Sequence, residues 1–327
     1  VNIGVTAGIE TTKVAPLWLQ KGNESVDRII TISRHSKDSY VNTVAMAQNN
    51  QTGENFEYRL QNPIDYVNYP AKVFDSLPEL ELGLSTDFNF LTVAQFGPRK
   101  NLPNTIKWFI EEFHDDDVGL IVKTNMAKNC IMDREIVVGN IKNITRQFPD
   151  KKCKVYLLHG DMSDAEMHSL YNHDKISAFV AIPHGEGYGL PIFEAAYSGL
   201  PVVSVGWSGQ LDFLCDEKGK EHFYNVSFDL QPVQGEVVWE NVLIAESMWA
   251  YPREQSAKQK MRQCYTDIVK NNNDSYAAKS GEYSNMLRDR FSNEKQMNIF
   301  VSHLEKYTAQ SDDDWLSEIE DIVKEYE

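Results

Sequence analysis

Residues 176–205 constrain this chain more than any other stretch. An apolar run at 176–182 leads into Pro183-His-Gly-Glu-Gly-Tyr-Gly189, then Leu190-Pro191-Ile-Phe-Glu194-Ala-Ala-Tyr-Ser198-Gly-Leu-Pro201, and a second apolar run at 202–205. A nearly continuous apolar segment of this length predicts a strand covered on both faces, as in a parallel sheet. Gly185, Gly187 and Gly189 allow a tight turn and close approach of a ligand to the backbone. Pro191 suits a first helical turn, Gly199 a helix C-cap, and Pro201 stops the helix from continuing. The predicted unit is strand, glycine-rich turn, short helix, strand. A helix that opens after such a turn presents unpaired N–H groups and a partial positive charge to an anion.

Two carboxylates sit in that unit, Glu186 in the turn and Glu194 inside the helix. Carboxylates accept hydrogen bonds from hydroxyl groups but do not hold phosphates. An anion site flanked by carboxylates therefore points to a ligand with both phosphate and sugar, such as a nucleotide sugar. The string Glu186-Gly-Tyr-Gly-Leu-Pro-Ile-Phe-Glu194-Ala-Ala, followed by Ser198-Gly-Leu-Pro-Val-Val203, resembles the E-x7-E signature of retaining GT-B glycosyltransferases of family four. The resemblance implies that Glu194 holds the nucleotide ribose and that Glu186 lies beside the donor sugar. It assigns phosphate to the N–H groups from Gly187 through Tyr188 and Gly189 to Leu190.

Around this unit the chain predicts a doubly wound α/β domain. Strands are expected at 88–94, 118–122, 154–158, 176–182 and 202–205, with helices near 103–113, 133–147 and 165–171, the last capped by Ser163. Ligands of open α/β sheets bind outside the carboxyl ends of the strands. The residues expected at those ends are Arg99 and Lys100, Lys123, Gly160 and Asp161, Glu186 to Gly189, and Ser208 and Gly209. Arg99 and Lys100 can neutralise a diphosphate directly. By resemblance Lys100 matches the family lysine that stabilises the leaving diphosphate. The family arginine position holds Gln95, so Arg99 or Lys123 would have to substitute. The Ser208-Gly209 pair resembles a Gly-Gly pair whose N–H groups face the donor. His184 lies next to the proposed sugar site and is open to a catalytic or a structural reading; Trp207 is open to a pocket or a core reading.

Residues 1–85 read as part of an N-terminal, acceptor-side Rossmann-like domain, with strands at 1–5 and 28–32 and helices at 13–21 and 36–47. Ser33 and Ser36 can cap the second helix. Glu10, in the turn after the first strand, could face a cleft or be a solvated loop acid. The segment supplies about half of a doubly wound domain, and the chain starts inside an apparent strand without a Met, so it is expected to begin partway through a longer product. Residues 86–270 form the nucleotide-sugar-binding domain on this reading, and 271–327 form helices that pack back toward the N-terminal domain. Residues 236–327 read as helices at 237–248, about 253–270, near 275–290 and 293–306, interrupted at Trp249-Ala-Tyr-Pro252 and at the Asn-rich 271–274, with Trp315, Leu316, Ile319, Ile322 and Val323 on one face of the last helix. Asp312-Asp-Asp314 reads as the charged first turn of that helix.

The overall expectation is an α/β, GT-B-like fold of two Rossmann-type domains, the first incomplete, plus C-terminal helices. The expected function is hexosyl transfer from a nucleotide-diphosphate sugar with retention. The acceptor is left open among saccharide, lipid and protein. Alternatives are a non-catalytic nucleotide-sugar-binding module and an epimerase or phosphorylase on the same fold. The formal net charge of −16 argues against nucleic acid or an anionic membrane as partner. Four cysteines without metal spacing read as reduced thiols of a cytoplasmic protein, and no apolar run approaches the roughly 20 residues of a membrane helix. No cofactor is expected besides the donor. Asp115-Asp-Asp117 contains a D-x-D but falls between a helix and a strand, at the amino ends of the strands, and reads as a solvated turn. With cations rather than acids at the ligand side, transfer activity is expected to persist in EDTA; strict dependence on added Mn²⁺ or Mg²⁺ in an assay of sugar transfer would reverse this reading.

Overall fold

The computed structural model describes residues 1–304. The chain opens with β1 (Ile3–Val5), α1 (Pro16–Glu24), β2 (Arg28–Thr31), α2 (Arg34–Asn42), β3 (Ala45–Gln48), β4 (Asn55–Tyr58) and β5 (Ile64–Tyr66). β1, β2 and β5 form a parallel three-stranded sheet in that order. Pro16 fixes the start of α1, since a first-turn proline lacks an N–H that would be unpaired there anyway. Ser33 caps α2 by accepting from the Ser36 N–H. The helix expected over 36–47 ends at Asn42, because Ala45–Gln48 pairs antiparallel with Asn55–Tyr58. The Asn49 side chain, accepting from the Gln51 and Thr52 N–H groups, shapes the turn between them.

The second sheet holds β6 (Phe88–Val93), β7 (Val118–Lys123), β8 (Lys154–Leu158), β9 (Ala178–Ala181), β10 (Val202–Val205) and β11 (Tyr224–Val226). All six strands are parallel, in the order β11-β10-β9-β6-β7-β8. The five strands expected from the sequence fall in this one sheet. β11 was not expected; its three residues are too few for a periodic signal. Between the strands lie α3 (Leu102–Glu112), α4 (Ile131–Thr145), α5 (Asp164–Tyr171), α6 (Leu190–Tyr197) and α7 (Leu211–Leu214). Ser163 and Glu166 form a reciprocal capping box at the start of α5.

The pleat sends alternate residues of these strands into two cores. Phe90, Leu120, Val122, Ala178, Val180, Val203 and Val205 face one, while Leu91, Ile121, Phe179 and Val202 face the other. Burial on both faces explains the near-continuous apolar runs. In the first core Phe109 of α3 packs against Phe90 and Phe113, with ring centroids 6.1 and 5.2 Å away. Arg262 lies over Phe113 at 4.3 Å and pairs with Asp116 at 2.7 Å. Asp116 is thus tied to a neighbouring helix, which corrects the reading of 115–117 as a wholly solvated turn.

The remaining elements are β12 (Phe228–Pro232), β13 (Met248–Pro252), α8 (Glu254–Val269) and α9 (Tyr276–Arg290), followed by helical residues 293–304. The helix expected over 237–248 is absent: only a single turn at Gly235–Val237 forms there, and the interruption expected at 249–252 lies in β13. That stretch pairs antiparallel with β12 and buries Trp249 and Ala250 completely. α9 packs on α6, and at the end of the described chain the His303 carbonyl accepts from Arg28 of β2. The expected apolar face at 315–323 and the acidic run 312–314 lie outside the described residues. Among the described residues no helix is long and apolar enough to cross a membrane. Phe109→Ala is expected to destabilise the protein by about 3–5 kcal/mol, the usual range for truncating a buried phenylalanine, read as a lower midpoint in denaturant unfolding.

Candidate functional site

In an open α/β sheet the binding crevice lies where strand order reverses. Here that point is between β6 and β9, adjacent in the sheet yet far apart in sequence. Their carboxyl ends feed the loops 94–101 and 182–189. The loops are stitched together: the His184 N–H donates to the Arg99 carbonyl at 2.8 Å, and the Asn101 side chain donates to the Ile182 carbonyl at 3.0 Å.

Glu186 is buried at this junction. Lys100 Nζ lies 2.5 Å from its Oε1 and Arg99 Nη1 lies 2.9 Å from its Oε2. Burial alone would raise the Glu186 pKa, but Lys100 and then Arg99 outweigh it and hold the carboxyl below its usual range. Arg99 Nη1 also donates to the Gly185 carbonyl at 2.9 Å, and Arg99 Nε lies 3.2 Å from Glu10 Oε1. The site thus draws a carboxylate from the first sheet's side of the molecule. Glycine is required where the halves meet. A Cβ on Gly185 would lie 2.3 Å from the Glu10 carbonyl oxygen, and one on Gly187 would lie 2.9 Å from that of Ala7.

Ser208 and Gly209 support the turn from below. The Glu186 N–H donates to the Ser208 hydroxyl, which donates in turn to Gln210 Oε1, and the Gly209 N–H donates to the Glu186 carbonyl. The Gly209 N–H is therefore engaged within the turn, not free to face a donor as the Gly-Gly resemblance implied. The N–H groups of Gly187, Tyr188, Gly189 and Leu190 have no acceptor among the described residues, and they stand at the start of α6. Tyr188 contributes only its backbone there. Its ring is buried among Tyr69, Phe193 and Phe213.

His184 is a strut. Its ring stacks on Trp249 with centroids 4.8 Å apart, Nδ1 lies 2.6 Å from the Ala250 carbonyl, and its own carbonyl accepts from the Ala250 N–H. Burial lowers its pKa. Glu194 sits apart from Glu186, on the side facing α5. It accepts from the Tyr171 hydroxyl at 3.2 Å and lies 3.7 Å from Lys72 Nζ, which also pairs with Asp164 at 2.9 Å. Burial raises the Glu194 pKa. Lys123, Gly160 and Asp161 form a third group at the ends of β7 and β8. Lys123 Nζ donates to the Gly160 carbonyl, and Asn129 donates to Asp161. Burial lowers the Lys123 pKa. The same edge contains a buried pair, His159 Nε2 2.8 Å from Asp133 Oδ1, and Asp133 also accepts from the N–H groups of Met126, Ala127 and Lys128.

The residues singled out in the sequence therefore lie along one edge of the sheet, in three separate groups. Lys72, Asp133 and His35 could not be singled out in the sequence, because their partners Glu194, His159 and Trp207 lie far along the chain. A cavity of about 900 Å³, between Asp65–Asn68, α9 and residues 295–303, contains none of these groups. Among the described residues no cluster of three or more His, Cys, Asp or Glu side chains could hold a metal ion.

No protein-family model matches the chain. It is 26% identical over 201 residues to the serotype-specific mannosyltransferase WbdA of Escherichia coli, a match covering 58% of this chain and 22% of that protein. The matched part is thus about a fifth of the curated relative's length. Among solved structures, the complex of Anabaena Alr3699/HepE with UDP and glucose superposes with a TM-score of 0.59 at 14% identity, covering 89% of this chain and 66% of that one. A glycosyltransferase from Rickettsia africae ESF-5 gives 0.58 at 9% identity, covering 93% and 70%. The pneumococcal O-GlcNAc transferase GtfA in complex with UDP and GlcNAc gives 0.51 at 15% identity, covering 93% and 52%. These likenesses establish the fold as α/β and GT-B-like.

His35 links the site to stability. Its ring meets Trp207 edge-on at 4.9 Å, and burial pushes its pKa down to about 4. Below about pH 6.5 the unfolded chain takes up a proton there that the folded chain refuses until about pH 4. Folding stability should therefore fall with acidity across that window. His35→Phe keeps a ring and removes the proton, so between pH 7 and 4.5 the variant should gain roughly 2–3 kcal/mol on the parent in unfolding free energy, measured by denaturant titration at both pH values.

Proposed function

We propose that this chain transfers a sugar from a nucleoside-diphosphate sugar to an acceptor hydroxyl, with retention at the anomeric carbon. The observation that carries the reading is the buried Glu186 held by Arg99 and Lys100 beside four unspent N–H groups at the start of α6. Two cations and a helix N-terminus converging on one buried carboxylate suit a diphosphate, and the carboxylate stands in for it. On donor binding the phosphates take Arg99, Lys100 and the N–H groups from Gly187 to Leu190, and Glu186 turns to the hydroxyls of the donor sugar. The same cations and N–H groups face the negative charge that grows on the leaving diphosphate in the transition state, which is where such donors lower a barrier. Glu194 accepts from the ribose hydroxyls in place of Lys72. A hexose donor is supported by the mannosyltransferase relative, and a uridine nucleotide by the UDP complexes among the structural neighbours. Retention rests on the E-x7-E resemblance of Glu186 and Glu194.

The test is calorimetric titration with UDP, GDP, their hexose derivatives and the bare nucleosides. Lys100→Ala should weaken the diphosphate at least about tenfold while leaving the nucleoside nearly unchanged, since it removes a point charge. Glu186→Gln should tighten the plain diphosphate, because a competing internal anion is gone, and should depress sugar transfer. Glu194→Gln should weaken diphosphate and sugar nucleotide alike by about 1.5–3 kcal/mol, the range for a charged hydrogen bond. Variants that melt with the parent, yet show equal loss of nucleoside and diphosphate for Lys100→Ala or weaker diphosphate binding for Glu186→Gln, would sink this assignment.

A further inference from the structure

We infer that Glu10 is the positioning residue for the phosphate-binding arginine: a carboxylate from the N-terminal half of the molecule holds the Arg99 guanidinium in place by its charge. The inference deepens the proposed function and rests on it for its ligand.

Arg99 lies in the single 3-10 turn Pro98–Lys100, and its side chain is about a third exposed. Nothing in so short a turn fixes a long side chain that carries about 2 kcal/mol of rotamer entropy. Two acceptors and a neighbouring charge do so instead, and they approach from two directions. Glu186 Oε2 and the Gly185 carbonyl both accept from Nη1 at 2.9 Å, and Glu10 Oε1 forms an ion pair 3.2 Å from Nε. The two bonds at Nη1 set the guanidinium plane, and the negative charge beside Nε keeps the group from swinging away on its stem. When Glu186 turns to a sugar, Glu10 is the acidic partner that remains.

Glu10 is itself well anchored. Thr12 exchanges two hydrogen bonds with Met248 of β13, both 2.9 Å, and the Thr11 carbonyl accepts from the Ser39 hydroxyl at 2.8 Å. The Glu10 carbonyl rests where the missing Cβ of Gly185 would be. These ties fix the backbone from which the Glu10 side chain reaches Arg99.

The charge of Glu10 gives the inference a decisive sign. As a bare charge near an anion site, Glu10 would repel phosphate, and its removal would tighten binding. As a positioning group it helps, and its removal loosens binding. Calorimetry with UDP should show Glu10→Ala weakening the diphosphate at least about fivefold, within the coupling seen between charged residues in contact. Glu10→Gln, which keeps the shape but removes the charge, should lose about as much as Glu10→Ala. Glu10→Ala added to Arg99→Ala should change nothing further. Unchanged or tighter binding by Glu10→Ala, or full additivity with Arg99→Ala, overturns the inference. A second measurement needs no ligand. Rotation of the Arg99 guanidinium, followed by NMR of its side-chain nitrogens and assigned by their loss in Arg99→Lys, should speed up in Glu10→Ala and in Glu10→Gln alike. If the parent binds no nucleotide, the proposed function fails, while the rotation measurement still decides the role of Glu10; equal rotation in parent and Glu10→Ala ends it.

Discussion

A carboxylate taken out of water must be neutralised or paired, and the site is built around how Glu186 meets that demand. Its cations do not come from its own loop. Arg99 and Lys100 arrive from the loop after β6, which neighbours β9 only because the strand order reverses there. The pairing therefore depends on the whole sheet being assembled. It also draws in secondary ties: the Arg99 carbonyl accepts from the His184 N–H, and His184 is clamped to β13 through Trp249 and Ala250. One ion cluster thus couples the central strands to a hairpin placed after them in the chain.

The second dependence is steric. The turn 185–189 is squeezed between the loop 6–12 above and Ser208-Gly209 beneath, with carbonyl oxygens where side chains would otherwise stand. A Cβ on Gly209 would lie 2.1 Å from the Gly187 carbonyl oxygen. Any side chain at 185, 187 or 209 would push the layers apart and carry Glu186 away from its cations. The glycines are needed for interlayer contact as much as for the turn, and this binds the small sheet to the large one at the site.

Much of this was legible in the sequence, for a physical reason. Strands buried on both faces write long apolar runs, so five strands of the large sheet and their helices could be read directly, as could the capping Ser33 and Ser163. The glycine-rich turn announced itself because few other residues fit there. What stayed hidden depends on partners distant in sequence. The break at 249–252 could be read but not its pairing as β13 with β12, and Ala45–Gln48 reads like a continued helix until its hairpin partner appears. Lys72 meets Glu194 only through the path of an extended linker. Glu10 could be seen as a loop acid but not as a partner of Arg99, because that contact joins two different sheets.

The departure at Gln95 follows from the same geometry. Where the resembled family has an arginine, Gln95 sends its side-chain amide to the Met126 carbonyl at 2.5 Å and ties the loop after β6 to the loop after β7. Backbone bonds from Ala94 to Lys123 and from Phe96 to Asn125 reinforce that seam. The same edge is then held from beneath by Asp133, which gathers three N–H groups and His159. With position 95 committed to the seam, a positive charge for an anion must come from further along the loop. Arg99 is placed to supply it, but from a short turn that cannot by itself orient a long side chain. Two supports thus meet on this loop from opposite sides: Gln95 ties it to the loop after β7, and Glu10 of the N-terminal loop pairs with Arg99. An arginine at position 95 would break the first tie without touching the second.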